Sequence, residues 1–157
     1  MGLINLLNKL CRTLVDRRIR KVLYPIGELF RVIMRLYGCE FFVSKKIGRR
    51  GVFRFHNEYL FSDFERWGEA HNNLFEEYVG RCVDVKCVLD VGAHIGITIM
   101  PVSNVIAPGG TIYGFEPSPT AFEFLEKHIR ANNIKNVIVE NVVVGDSDND
   151  EIDYAEE

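Results

Sequence analysis

Val88-Leu-Asp-Val-Gly-Ala-His-Ile-Gly96, followed further on by Tyr113-Gly-Phe-Glu-Pro117, is the stretch whose reading decides the fold. An apolar strand runs into Asp90 and Gly92, where the backbone can turn tightly, and Gly96 lets the following helix approach closely. Glu116 lies 20 residues after Gly96, at the spacing where an acid closing a second parallel strand meets ribose hydroxyls. This is the layout of a nucleotide pocket at the ends of two parallel strands.

Working outward, the pattern predicts alternating strands and helices. Cys87 to Val91 is the first core strand, and its unbroken apolar character suits burial on both faces. A helix is expected from about Ile97 to Ile106, kinked by Pro101, then a turn at Pro108-Gly109-Gly110 and a strand over Thr111 to Phe115. Ser118 and Pro119 supply an N-cap and a first-turn proline for a helix reaching Ala131, with Phe122, Leu125 and Ile129 on its buried face. Asn132-Asn133 ends it. Val137 to Val144 forms a third strand before the polar turn Asp146 to Asp150. Such alternation means an α/β fold, a Rossmann-like parallel sheet with right-handed crossovers. Three strands are legible, with Glu151 to Tyr154 a candidate fourth or part of a hairpin. A doubly wound sheet normally has about five or more, so the sheet is expected to be truncated after its third core strand.

The N-terminal part reads differently. Residues 1–50 carry 12 Lys and Arg against Asp16, Glu28 and Glu40, a balance of +9, whereas the remainder carries 7 against 19, a balance of −12. Leu3, Leu6, Leu7, Leu10, Leu14 and Val15 repeat at helical spacing before the basic run Arg17-Arg18-Ile19-Arg20-Lys21. Pro25 is expected to interrupt. A second stripe, Ile26, Leu29, Phe30, Ile33, Met34 and Tyr37, stops at Gly38. Residues 1–50 are therefore expected to form a basic amphipathic helical region, and residues 51–157 a partial cofactor-binding domain. Gly48 to Gly51 reads as a basic turn and Val52 to His56 as a strand with Phe53 and Phe55 on one face. Ser62-Asp-Phe-Glu65 has a capping-box pattern for a short helix with Phe64 and Trp67, and a further helix starts at Asn73 and ends near Gly80.

Several classes are set aside by composition. Cys11, Cys39, Cys82 and Cys87 have neither zinc-site nor disulfide-framework spacing and are expected as buried thiols in a reducing compartment. Leu3 to Val15 is too short and too polar to span a bilayer. A signal peptide is not expected, since the charged cluster follows the apolar residues. Leu6 stands where a myristoylation signal wants Ser or Thr. A cytoplasmic location is expected. The basic arm has three candidate roles: contact with an anionic membrane surface, packing against the rest of the protein or a second subunit, and, least supported because no aromatics interleave the charges, nucleic-acid binding.

The glycine pattern separates the nucleotides. A dinucleotide fingerprint would put a middle glycine where His94 stands, and a phosphate-binding loop would need Gly-Lys-Ser/Thr where Gly96-Ile97-Thr98 is found. A cofactor without pyrophosphate fits better. S-adenosylmethionine needs a glycine turn for its methionine portion, an acid for the ribose diol and an apolar slot for adenine.

Val88 to Gly96, Pro108-Gly-Gly-Thr-Ile-Tyr-Gly-Phe-Glu-Pro117 and Asn133-Ile-Lys-Asn-Val137 together resemble the FkbM-type family of S-adenosylmethionine-dependent methyltransferases, from about Val52 onward. That family usually has Asn where this chain has His94. The resemblance implies that Asp90 and the Gly92, Ala93, His94 to Gly96 backbone face the methionine end. It further implies that Glu116, followed by Pro117, holds the ribose hydroxyls, and that Val144 to Asp146 border adenine. It implies methyl transfer to an oxygen of a small molecule, sugar or lipid-linked glycan. The family's fourth strand motif, Lys-Ile-Asp-Val-Glu-Gly-like, and its acceptor side do not occur here, and no catalytic base is named.

Two other readings stay open. One is a non-catalytic remnant or interaction protein that keeps the cofactor half, and the weaker one is an NAD-dependent oxidoreductase. His94 is read as a structural or cofactor-backbone position rather than a base, and His56, His71 and His128 as surface residues. Asp63, Glu65, Glu69, Glu76 and Glu77 fit caps and a solvated face, so no metal is assigned.

Overall fold

The computed structural model describes residues 17–67 and 74–146. In chain order its elements are α1 (Arg17–Leu36), β1 (Phe42–Lys46), β2 (Val52–His56), a 3-10 turn (Asn57–Tyr59), α2 (Leu74–Arg81), β3 (Cys87–Val91), α3 (Ile99–Ser103), β4 (Thr111–Phe115), α4 (Pro119–Ala131) and β5 (Val137–Glu140). They fall into two compact units, Met1–Val43 with Phe55–Asp63, and Ser44–Arg54 with Phe64–Glu157. The expected Leu3 to Val15 helix, His71, the Asp146 to Asp150 turn beyond Asp146 and the Glu151 to Tyr154 strand lie outside the described residues.

In the first unit α1 runs through Pro25 instead of stopping there. A proline ring holds φ near −65°, which a helix accepts, so the change forfeits one backbone hydrogen bond without forcing an end. The following turns are held by packing: Phe30 meets Phe61 edge-on with ring centroids 5.9 Å apart, and a Cβ on Gly27 would stand 3.1 Å from the Phe61 ring. Glu58 receives two hydrogen bonds from Arg35, at 2.7 and 3.2 Å. His56, expected at the surface, is buried, and its Nδ1 accepts from Glu58 N as the cap of the 3-10 turn.

β2 has a partner the sequence did not announce, β1, and the two form a two-stranded sheet. Phe53 and Phe55 are both buried, as their alternation predicts. In the second unit the Ile47 to Gly51 turn is fastened to α2, where Glu76 pairs with Arg50 at 2.6 Å and accepts from Arg49 N. The expected helix at Ser62 to Glu65 is a turn, with Trp67 N bonded to Phe64 O. Gly48 N donates to the same carbonyl, which ties this turn to the Ile47 to Gly51 turn.

β3, β4 and β5 form a parallel sheet in that order, the α/β, Rossmann-like arrangement expected. Register places Val88 opposite Ile112 and Ile112 opposite Val137, while Leu89, Tyr113 and Ile138 line the other face. The helices cover the first face: Ile99 of α3 reaches within 2.7 Å of where a Gly114 Cβ would stand, and Val88, Ile112 and Leu125 are buried. The second face departs from expectation. Leu89 is 65%, Val91 62% and Ile138 48% exposed, because both crossover helices pack on the opposite side. The apolar run of β3 thus signals a two-sided strand of which the described residues cover one side.

Three boundaries also shift. α3 is limited to Ile99–Ser103 because Asp84 N bonds to Val105 O and Ala107 N to Val85 O, pulling the chain out of helical geometry. Pro101 interrupts an i→i−4 ladder that Met100 N to Gly96 O and Val102 N to Thr98 O continue on either side of it, so one backbone bond is lost there, as expected. β5 ends at Glu140 rather than Val144, and Asn141 turns its side chain onto the segment after β4. α4 matches its prediction, with Ser118 Oγ accepting from Ala121 N at 3.2 Å. Its most buried residues are Ala121, Leu125 and His128, with Phe122 and Ile129 half-buried. His128 is a correction: it is fully buried, with Nδ1 2.9 Å from Ile95 O. Cys82 is buried as expected, whereas Cys39 and Cys87 are exposed.

Candidate cofactor site

The site is built where β3 and β4 end. Gly92 N and Ala93 N both donate to Phe115 O, at 2.9 and 3.0 Å, which folds the chain back over the end of β4. Gly92, His94 and Gly96 have φ of +80°, +49° and +88°, the left-handed region that a Cβ disfavours by about 1–2 kcal/mol. A Cβ on Gly92 would meet nothing within 4 Å, so the turn borders open space. A Cβ on Gly96 would lie 2.8 Å from Leu125 Cδ1; this glycine lets α4 approach the loop. His94 is exposed at the turn, and His and Asn are among the side chains that tolerate positive φ best. That backbone demand accounts for His94 without any proton transfer.

Glu116 closes β4. It is 4% exposed, and burial of a carboxylate requires partners. Its Oε2 accepts from His94 N at 2.7 Å and its Oε1 from Ser118 N at 2.9 Å, so the carboxylate clasps the glycine loop to the entrance of α4. Its own backbone continues the ladder, with Glu116 N donating to Glu140 O at 3.1 Å. A carboxylate has about four acceptor positions; two are filled by backbone and two remain.

Asp90 lies one residue before the end of β3, opposite Gly114 of β4. Its Oδ2 accepts from Thr98 Oγ1. Burial pushes its carboxyl above the usual carboxylate value, and the Thr98 hydrogen bond works against that rise. Burial, and then the Asp90 charge, raise the Tyr78 hydroxyl of α2 as well. Asp90, Gly92, Ala93, His94, Gly96, Glu116 and Pro117 are thus gathered around one strand-end loop. Val144 and Asp146 follow the end of β5, exposed, and make no hydrogen bond to that loop.

Two residues were missed by sequence reasoning. Thr98 holds Asp90 from the start of the α3 turn. Asn141 donates from Nδ2 to Glu116 O at 2.7 Å and to Pro117 O at 3.0 Å, pinning the backbone on both sides of Pro117. The polar pair Glu140-Asn141 interrupting the apolar run from Val137 to Val144 was the available signal.

No protein-family model and no curated protein matches this chain. Solved structures do. A SAM dependent methyltransferase from Aquifex aeolicus is 20% identical with a TM-score of 0.39, the match covering 43% of this chain and 37% of that one. M. jannaschii TYW2 in complex with AdoMet is 21% identical with a TM-score of 0.45, covering 62% and 42%. Aeropyrum pernix fibrillarin with natively bound S-adenosyl-L-methionine is 26% identical with a TM-score of 0.35, covering 40% and 26%. The matched part spans less than half the length of each of these proteins.

Proposed function

We propose that the loop from Asp90 to Gly96 and Glu116 hold S-adenosylmethionine, and that the chain carries the donor side of an FkbM-type methyltransferase site. The carrying observation is the Glu116 carboxylate, fixed at the end of β4 by His94 N and Ser118 N with acceptor positions left for a ribose diol. The open turn at Gly92 suits the methionine portion, and Ile97 stands where a pyrophosphate cradle would want a lysine. When bound, the cofactor supplies a methyl group on a sulfonium. The residues here orient that donor: Glu116 fixes the ribose, Thr98 keeps the Asp90 carboxylate turned toward the loop, and Gly92 leaves the approach unblocked. Transfer is an in-line displacement in which positioning supplies most of the enzyme's contribution. The acceptor class that goes with this reading is an oxygen of a small molecule, sugar or lipid-linked glycan.

Calorimetric titration of residues 1–157 with S-adenosylhomocysteine and with NAD tests it. Binding of S-adenosylhomocysteine that weakens tenfold or more in Glu116→Ala, with no comparable NAD binding, is the expected result. Preferential NAD binding, or unchanged affinity in the variant, overturns it.

The bare face of the sheet at Leu89, Val91 and Ile138 favours a second reading, an interaction protein that retains cofactor binding without transfer. S-adenosylhomocysteine binding with no methyl transfer to any glycan or lipid-linked acceptor would support it.

A further inference from the structure

Helix α1 carries its apolar residues on the wrong side for a helix that only packs against its own unit. Gly27 and Phe30 face inward, onto Phe61. On the opposite side Leu29, Val32, Ile33, Leu36 and Tyr37 are exposed, Leu36 and Tyr37 most of all. Their spacing, i, i+3, i+4, i+7 and i+8, is that of one continuous helical stripe, and it runs about 12 Å along the helix at 1.5 Å per residue. Water is a poor solvent for such a stripe, and an exposed contiguous apolar patch marks a contact surface.

Charge identifies the occupant. The stripe belongs to a helix with six basic residues, of which Arg31 and Arg35 are paired with Glu28 and Glu58, while Arg17, Arg18, Arg20 and Lys21 form a run with no acid within it, in an N-terminal region of balance +9. Four of the six precede the stripe in the first five residues of α1. An apolar helical face with an aromatic at its end and a dense basic run is the pattern that lies in the plane of an anionic lipid interface. Any occupant of the stripe has to bring negative charge to match the Arg17 to Lys21 run, and an anionic lipid surface presents it densely. Among the described residues no helix is long and apolar enough to cross a membrane, so the contact would be one of lying on the surface.

We propose that α1 docks on an anionic lipid surface through Leu29, Val32, Ile33, Leu36 and Tyr37, with the Arg17 to Lys21 run supplying the attraction. Each basic residue near such a surface changes the partition coefficient about fivefold, so the electrostatic part is steep in lipid charge and in salt.

The test is flotation of the full chain with vesicles of phosphatidylcholine alone and of phosphatidylcholine with phosphatidylserine, beside sedimentation equilibrium without lipid. Wild type should float with the phosphatidylserine vesicles only and be released by high salt. L29S/L36S, both at exposed positions where folding does not depend on the side chain, should bind at least tenfold more weakly, and R17Q/R18Q likewise. Circular dichroism confirms that each variant is folded. Flotation that survives L29S/L36S places the contact on another segment and overturns the proposal. So does an oligomer that L29S/L36S dissociates in the absence of any lipid binding, which assigns the stripe to a protein partner.

Discussion

Glu116 Oε2 accepts a 2.7 Å hydrogen bond from His94 N across 22 residues of sequence. The bond joins the loop that leaves β3 to the residue that closes β4, and through Ser118 N it extends to the cap of α4. Three elements therefore meet on one carboxylate. The same group that the sequence nominates for ribose is, in the folded chain, the fastening of the loop it would share with the ligand.

Replacing it separates charge from shape. Glu116→Gln keeps the size but has one acceptor oxygen where two backbone donors wait, so its amide nitrogen faces an N–H. Leaving a buried donor unmet costs about 1–3 kcal/mol. Urea denaturation should register a loss of that size, and S-adenosylhomocysteine affinity should fall by about tenfold or more for the same reason. A variant as stable as wild type would mean that the clasp is not formed in solution.

Asn141 acts on the site through Glu116. Glu116 N is held by Glu140 O and Glu116 O by Asn141 Nδ2, so Asn141→Ala frees the backbone that aims the carboxylate. The informative quantity is the ratio of dissociation constants for S-adenosylhomocysteine and its 2′-deoxy counterpart. Partial unfolding scales both constants by the same fraction and leaves the ratio untouched. Wild type should discriminate by about tenfold or more, the value of a hydrogen bond to a charged group, and Asn141→Ala should lose most of that. An unchanged ratio would confine Asn141 to stabilising the turn.

Legibility followed local chemistry. β3, β4 and α4 were readable to the residue because their ends are set by local signals, the Gly92 turn, the Pro117-Ser118-Pro119 cap and Asn132-Asn133. The gathering of Asp90, Gly92, Gly96 and Glu116 around one strand-end loop was legible too, because their spacing is fixed by strand and helix lengths; their role toward a ligand is the proposal made above. What escaped the sequence depends on residues distant in the chain. β5 is cut short because Asn141 spends its side chain on Pro117, 24 residues earlier. His128 looked like a helix-end surface cation, yet the carbonyl of Ile95, 33 residues away, gives its Nδ1 a buried partner; a carbonyl only accepts, so Nδ1 carries the proton. A capping-box motif at Ser62 did not make a helix, since propensity over four residues is weaker than the turn fixed by Gly48 and Phe64.

The uncovered sheet face carries its own test. Leu89 and Ile138 stand on the face opposite α3 and α4 and are 65% and 48% exposed, so Leu89→Lys with Ile138→Lys removes only partial packing and should cost no more than about 1 kcal/mol. Leu125→Ala on the covered side should cost about 2–5 kcal/mol. A dye that brightens on apolar surfaces should bind wild type and bind the double lysine variant much less. A large stability loss in that variant would show that something in solution covers the face.

Asp90 sets the sign of a pH dependence. Burial raises its carboxyl above the ordinary value of 3.8, so the folded chain holds that proton more tightly than the unfolded one. Its charge is accordingly a burden that is absent below the ordinary value and grows as pH rises through the folded value, each tenfold gain in proton affinity on folding amounting to about 1.4 kcal/mol. Asp90→Asn removes the titration. Its stability relative to wild type should therefore climb from about pH 4 toward neutrality, measured by denaturation at each pH. Thr98→Val, which deletes the hydrogen bond that counters the rise, should lower stability most at neutral pH and least in acid, and in the Asp90→Asn background should show no such slope. Parallel lines for wild type and Asp90→Asn across that range would remove the buried charge as the cause.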